Sequence, residues 1–303
     1  MTDLLSIFAN NVLPILLIAG AGFLLSKYSG LSPRPISQLA FYIFIPCLLF
    51  KLLTTSELSG DDIFRMVGFT LASILTLGAL VGLVTGILKL DKRMVSALLL
   101  AIMFSNSGNY GLSLNLFAFG EKALAYASLY FATSIILINT LGILIANLGH
   151  AGLKSALIGL LKTPVLYAVL VALGFNLTGW VLPPPLHRTI FLLADGTIPL
   201  MIVLMGIQLQ HSTWVGHLRA LSFSTFMRLI AAPLVALPFA FLFGLEGPAR
   251  QAGITESSLP TAVIMTVVAT EYGVEPSFVT MAVVASTLIS PFTITPIIAL
   301  LGA

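Results

Sequence analysis

Two runs of polar residues interrupt stretches of sequence that are otherwise apolar. The first reads Met103-Phe104-Ser105-Asn106-Ser107-Gly108-Asn109-Tyr110-Gly111, and the second Ile254-Thr255-Glu256-Ser257-Ser258-Leu259-Pro260-Thr261. Gly108 lets the chain leave helical geometry, and Pro260 removes a backbone donor and crowds the preceding turn. Each run is therefore expected to split a helix in two. The N–H groups opened at the start of a second half-helix carry partial positive charge and suit an anionic group such as a carboxylate. The candidate contacts are Asn106, Ser107, Gly108 and Asn109 from the first run, and Ser258, Pro260 and Thr261 from the second. A single such run is equally well read as a kinked structural helix whose Ser and Asn bond their own backbone. Two at equivalent positions of a repeat favour a site.

Charged residues inside apolar stretches are the second source of chemistry. Glu256 is the acidic residue of the two breaks, and a buried carboxylate requires a cation, a proton or a basic partner, which suggests ion or proton coupling. The plainer reading is a glutamate that caps a half-helix from a hydrated vestibule. Asp195 and Arg228 each fall about 10 Å into a span at 1.5 Å per residue. They are read either as a mutual ion pair or with Asp195 facing a cavity in proton or ion coupling. Lys51 snorkels from the end of its span and is given no function. His187, His211 and His217 lack metal-ligand spacing and His150 is isolated, so no metal site and no cofactor are expected. No HExxH, GxSxG or P-loop motif occurs, which argues against an enzyme and against a pump driven by ATP.

The elements that hold these residues follow from composition. Hydrophobic residues make up 58% of 303 positions and charged residues 8%, where a soluble domain carries about 25% charged residues. An all-α integral membrane protein is the fold class that accommodates this. Each pass of a hydrocarbon core about 30 Å thick takes about 20 apolar residues. Ten candidate spans run near 4–25, 35–54, 63–88, 95–119, 124–148, 160–182, 187–210, 220–243, 250–270 and 277–301. The two polar runs then lie near the midplane of spans four and nine. With the N-terminus outside, Lys27, Arg34, Lys89, Lys92, Arg93, Lys154, Lys162 and Arg219 fall on inner loops. The positive-inside rule thus puts both termini outside the plasma (inner) membrane. Cys47 reads as a small buried hydrophobe, and no basic cluster suggests nucleic acid.

The spans repeat. Pro14, Pro33 and Pro35 recur as Pro164, Pro183 and Pro185, Pro46 as Pro199, and the segment 119–134 overlays 272–287. The unit is five helices, 1–150 followed by 151–303. Because five is odd, the second copy enters the membrane inverted.

The S-N-S-G-N-Y-G-L-S-L run of span four and the L-P-T-A-V of span nine resemble the auxin efflux carrier family. So do Glu271-Tyr272-Gly273, the run from Ser286 to Ser290, the I-P-C-L-L-F of span two, and the Asp195-Gly196 and Gly206-Ile207-Gln208-Leu209 steps. That family includes bacterial carriers assigned to malate or malonate and the plant PIN auxin exporters. The resemblance covers the whole chain and implies ten helices in two inverted halves, broken helices four and nine crossing, and an organic anion as substrate. Gly108 stands where plant exporters tend to carry Pro, and the long hydrophilic loop of some plant members is missing. Glu256-Ser257-Ser258 also looks like the acidic break of the architecturally related bile-acid/sodium symporters. The expected function is a secondary carrier of a small organic anion, exporting it by alternating access. The alternatives are sodium-coupled uptake and a membrane sensor that binds without translocating. Coupling to sodium, to protons or to neither is open, the lipid bilayer is a partner, and a homodimer is compatible with the sequence.

Overall fold

The computed structural model describes residues 4–56, 58–147, 161–210 and 218–303, and the elements it describes are all helices. The junction between the expected halves at 150/151, with Lys154, His150, His211 and His217, lies outside the described residues. Among the described residues, seven helices are long and apolar enough to cross a bilayer: α1 (Leu4–Ser29), α2 (Pro33–Thr55), α3 (Gly60–Ile87), α6 (Glu121–Ala146), α8 (Pro184–Gln210), α9 (Leu218–Leu242) and α12 (Pro276–Leu300). A shorter apolar helix, α7 (Pro164–Thr178), lies between α6 and α8. The other described helices are α4 (Lys92–Met103), α5 (Leu112–Phe119), α10 (Gly247–Ser257) and α11 (Ile264–Glu271). α4 is followed by a break and a π-turn, Ser107–Gly111, that leads into α5.

The helix starts follow local chemistry. Ser59 and Asp62 form a reciprocal capping box at the start of α3, which satisfies two donors that the first turn otherwise leaves open. Asp91 caps α4 by accepting from the N–H groups of Arg93 and Met94 at 3.0 Å. Prolines open α2, α7, α8 and α12, where their missing N–H is no loss. His187 stands in the first turn of α8 and stacks on Phe191 at 3.8 Å.

Two groups of helices pack together. α1, α2, α7 and α8 form one, and α3 to α6 with α9 to α12 form the other. The first group is tied by backbone contact: a Cβ at Gly22 would strike the backbone of Val203, and one at Gly206 the backbone of Ala19. Glycine at both places lets α1 and α8 approach as closely as small residues allow membrane helices to do. The π-turn of α9, Met227–Ala231, sits in the second group and carries a buried arginine toward the two breaks.

Candidate functional site

The two breaks meet. Ser105 and Thr261 form an isolated antiparallel bridge, in which the N–H of Asn106 donates to Pro260 O at 2.8 Å and that of Ala262 to Phe104 O at 2.9 Å. Each break supplies the other with the partners it loses by leaving its helix, which is how irregular backbone persists in a low-dielectric interior. Asn106, Ser107, Gly108, Ser258, Pro260 and Thr261 are all buried here, and Asn109 is half-buried. The residues singled out from the two runs are thus gathered in one place.

The local geometry differs from the expectation at Gly108. The chain leaves the helix earlier, at Phe104 (φ −106°, ψ 117°) and Asn106 (φ −75°, ψ 54°). Gly108 lies inside the π-turn and has no left-handed φ. A side chain there would press on Phe131 at 2.6 Å and Met201 at 2.8 Å, so Gly108 is needed for close packing rather than for conformational freedom.

Side chains lock the crossing. Thr261 Oγ1 donates to Ala101 O at 2.7 Å, and the N–H of Thr261 donates to Ser286 Oγ at 3.1 Å. Ser258 Oγ donates to Ile254 O at 2.6 Å. Asn106 Nδ2 approaches Met205 Sδ at 3.5 Å, and Asn109 Nδ2 donates to Gln208 Oε1 at 3.2 Å. Both asparagines therefore reach across to α8, the other packing group. The N–H groups of Ser107, Tyr110 and Gly111 are also bonded locally. Among the described residues no acceptor stands opposite the N–H groups of Gly108 and Asn109 in the first break, or of Val263 and Ile264 in the second.

Glu256 lies fully buried beside the crossing. Asn115 Nδ2 donates to its Oε1 at 2.9 Å, while Glu256 Oε2 and Asn115 Oδ1 have no partner. Gly111 lies directly against both carboxylate oxygens. Among the described residues the ion pairs are Lys51–Asp195 and Asp61–Arg65, so no basic side chain pairs with Glu256.

The ion pair between Asp195 and Arg228 does not form. Asp195 takes the ammonium of Lys51, and Arg228 bonds backbone carbonyls of the two breaks. Lys51, expected only to snorkel, also stands 5.4 Å from the centre of the Phe191 ring. Lys51 and Asp195 line a cavity of about 220 Å³ together with Glu121, Leu116, Phe117 and Ile202. Its walls come from both packing groups. Ile202 sits one helical turn from Met205, which contacts Asn106, but no residue of the crossing is in the lining of this cavity. Asn115, Gln208 and the contacts of Arg228 escaped the sequence reading. An asparagine two turns past the break was the available signal for the first.

A family described as membrane transport protein matches residues 7–155 and 148–298. An uncharacterised transporter of Methanothermobacter thermautotrophicus is 25% identical over 288 residues, 92% of this chain and 94% of that protein. One from Methanocaldococcus jannaschii is 25% identical over 300 residues, with the same coverage of each chain. Auxin efflux carrier component 3a of Oryza sativa subsp. japonica is 27% identical over 137 residues, 43% of this chain and 22% of the rice protein. Two matched segments that together span most of the chain place it, as a membrane transporter and not an enzyme, in the membrane transport family of the auxin efflux carriers.

Proposed function

We propose that this transporter is a secondary carrier that exports a small organic anion, with the substrate carboxylate bound where the two breaks meet. The observation that carries the reading is the two pairs of unpartnered N–H groups, at Gly108 and Asn109 and at Val263 and Ile264, each opening a second half-helix. Such a terminus stabilises an anion by about 0.3 to 1 kcal/mol when exposed and up to about 2 kcal/mol when partly buried. The Asn109 amide adds a hydrogen bond to a charged group worth about 1.5 to 3 kcal/mol. The sum gives weak, reversible binding, which a carrier needs in order to release its cargo on the far side. Asn106, Ser107, Ser258, Pro260 and Thr261 shape the site through the bridge and its local bonds.

In this reading α7, α4 with α5, and α10 with α11 add three passes to the seven long helices, giving two inverted five-helix halves, 1–150 and 151–303. Matching backbone marks support the repeat. Gly30 and Gly179 close α1 and α7 with φ of 67° in both, and Gly120 and Gly273 take positive φ before α6 and α12. Both termini face outward from the plasma membrane, and α1, α2, α7 and α8 rock against the other group during alternating access.

Glu256 carries ion or proton coupling, because a carboxylate in this position, with one oxygen unpartnered, holds a proton or a cation at some point in the cycle. Asp195, already paired with Lys51, is the weaker candidate for that role. The unpartnered oxygens of Glu256 and Asn115 also favour a second reading, sodium-coupled uptake.

The test is Asn109→Ala, with binding and proteoliposome flux measured against dicarboxylates, aromatic acids and bile acids in monodisperse protein. Loss of its hydrogen bond corresponds to about tenfold to a hundredfold weaker binding. Wild-type affinity and flux in the variant would move the substrate away from Asn109. Saturable binding without flux in the unaltered protein would make it a sensor, and flux that requires sodium would select the second reading.

A further inference from the structure

Arg228 is among the largest fully buried side chains, 1% exposed, and among the described residues no carboxylate pairs with it. A buried guanidinium has to find acceptors, since an unpaired buried charge costs several kcal/mol. It finds them in backbone. Nε donates to Leu259 O at 2.9 Å, Nη1 to Ile102 O at 2.7 Å and Met103 O at 3.4 Å, and Nη2 to Ser257 O. Ile102 and Met103 end α4, and Ser257 ends α10. The last carbonyls of a helix lack intrahelical donors and carry the negative end of its dipole. One cation therefore satisfies the carboxyl ends of two half-helices that come from opposite halves of the sequence.

We propose that Arg228 is a positioning residue for transport, which holds the ends of α4 and α10 together and so fixes where α5 and α11 begin. Arg228 touches no substrate in this scheme. Its donors all point at carbonyls that precede or lie within each break, at the C-terminal ends of α4 and α10, and the N–H groups of Gly108, Asn109, Val263 and Ile264 stay free beyond each break, where the second half-helices begin. The planar fork of a guanidinium suits the task, because its donors diverge in fixed directions and reach two helix ends at once, which a lysine ammonium on its flexible stem does not. The π-turn at Met227–Ala231 carries the side chain inward from α9, so the crossing and α9 move as one body. The role in transport rests on the anion-carrier reading, whereas the coupling of the two breaks does not.

The experiment is hydrogen exchange by mass spectrometry on the full chain in detergent, for wild type, Arg228→Lys and Arg228→Gln, with uptake of labelled malonate and indole-3-acetate into proteoliposomes alongside. The amides of Asn106 and Ala262, bonded across the bridge in the wild type, report on the crossing. In both variants, peptides covering 104–108 and 258–263 should exchange at least tenfold faster while those of α1 and α8 are unchanged, and any probe flux of the wild type should fall at least tenfold. Unchanged exchange at both breaks overturns the proposal. A uniform rise through the chain, or failure of both variants to fold, assigns Arg228 to general stability and overturns it as well. Faster exchange confined to the breaks, in a protein whose wild type moves neither probe, keeps the coupling of the two breaks and removes the anion reading.

Discussion

Asn115 donates to Glu256 across 141 residues of sequence, and the bond leaves one oxygen on each side chain without a partner. The pair sits beside the crossing, with Gly111 directly against the carboxylate. Glu256→Gln keeps the shape and the donor from Asn115 but cannot carry a charge. It should lower flux at least tenfold and abolish whatever dependence on sodium or pH the wild type has, as read in proteoliposomes with each gradient imposed separately. Wild-type rates and ion dependence in this variant would remove Glu256 from coupling.

Asp195→Asn provides the contrast. The Asp195 side chain is 63% exposed and that of Lys51 27%, and an ion pair so open contributes less than about 1 kcal/mol. The variant should keep its ion dependence and melt within a few degrees of wild type. Loss of that dependence would move coupling from the crossing to the Lys51 cavity.

Gly111→Ala should act on the same carboxylate from the other side. The added methyl group has no space beside Glu256, and overpacking of a dense interior costs about 1 to 3 kcal/mol. A lowered melting temperature together with altered ion dependence is the expected pair of results. Unchanged behaviour in both would show that the carboxylate swings clear.

The contact between α1 and α8 makes a separate prediction about stability. Gly206→Ala meets the backbone of Ala19 and should destabilise by about 1 to 3 kcal/mol. Gly20→Ala, next to Ala19 on α1 but with open space around it, should be neutral or stabilising by up to about 1 kcal/mol. Equal melting temperatures for the two variants would mean that α1 and α8 separate more easily than they pack here.

Orientation is tested by labelling. In a Cys47→Ala background, single cysteines in the 89–93 loop should react only with reagent from the cytoplasmic side, because Lys89, Lys92 and Arg93 lie together at helix ends. Labelling from outside would invert the topology.

The breaks were legible in the sequence because Asn, Ser, Gly and Pro cluster there within otherwise apolar stretches, whereas the caps at Ser59 and Asp91 emerged only with the structure. Arg228 was legible only as a charge at depth. Its partners are carbonyl oxygens, which every residue possesses, so no side-chain type marks them, and pairing it with Asp195 on chemical type alone missed both true partners. Lys51 and Asp195 lie 144 residues apart, and nothing in periodicity brings them together. The π-turns at Ser107–Gly111 and Met227–Ala231 also left no signature, since one extra residue in a helical turn changes the direction of side chains but not the composition. Gly108 was noticed for the right location and the wrong reason, as its lack of a side chain accommodates Phe131 and Met201.

The bridge between Asn106 and Pro260 has a consequence for biogenesis. When the first break enters the membrane, the segment that accepts from its Asn106 N–H and donates to its Phe104 carbonyl has not been made. Translation at about 5 to 20 residues per second supplies the second break roughly 150 residues later, after about 8 to 30 s. During that interval the open backbone of the first break needs water, lipid headgroups or the insertion machinery as a substitute. A chain halted between the two breaks should therefore be a preferred target of membrane quality control, while one released just after the second escapes it.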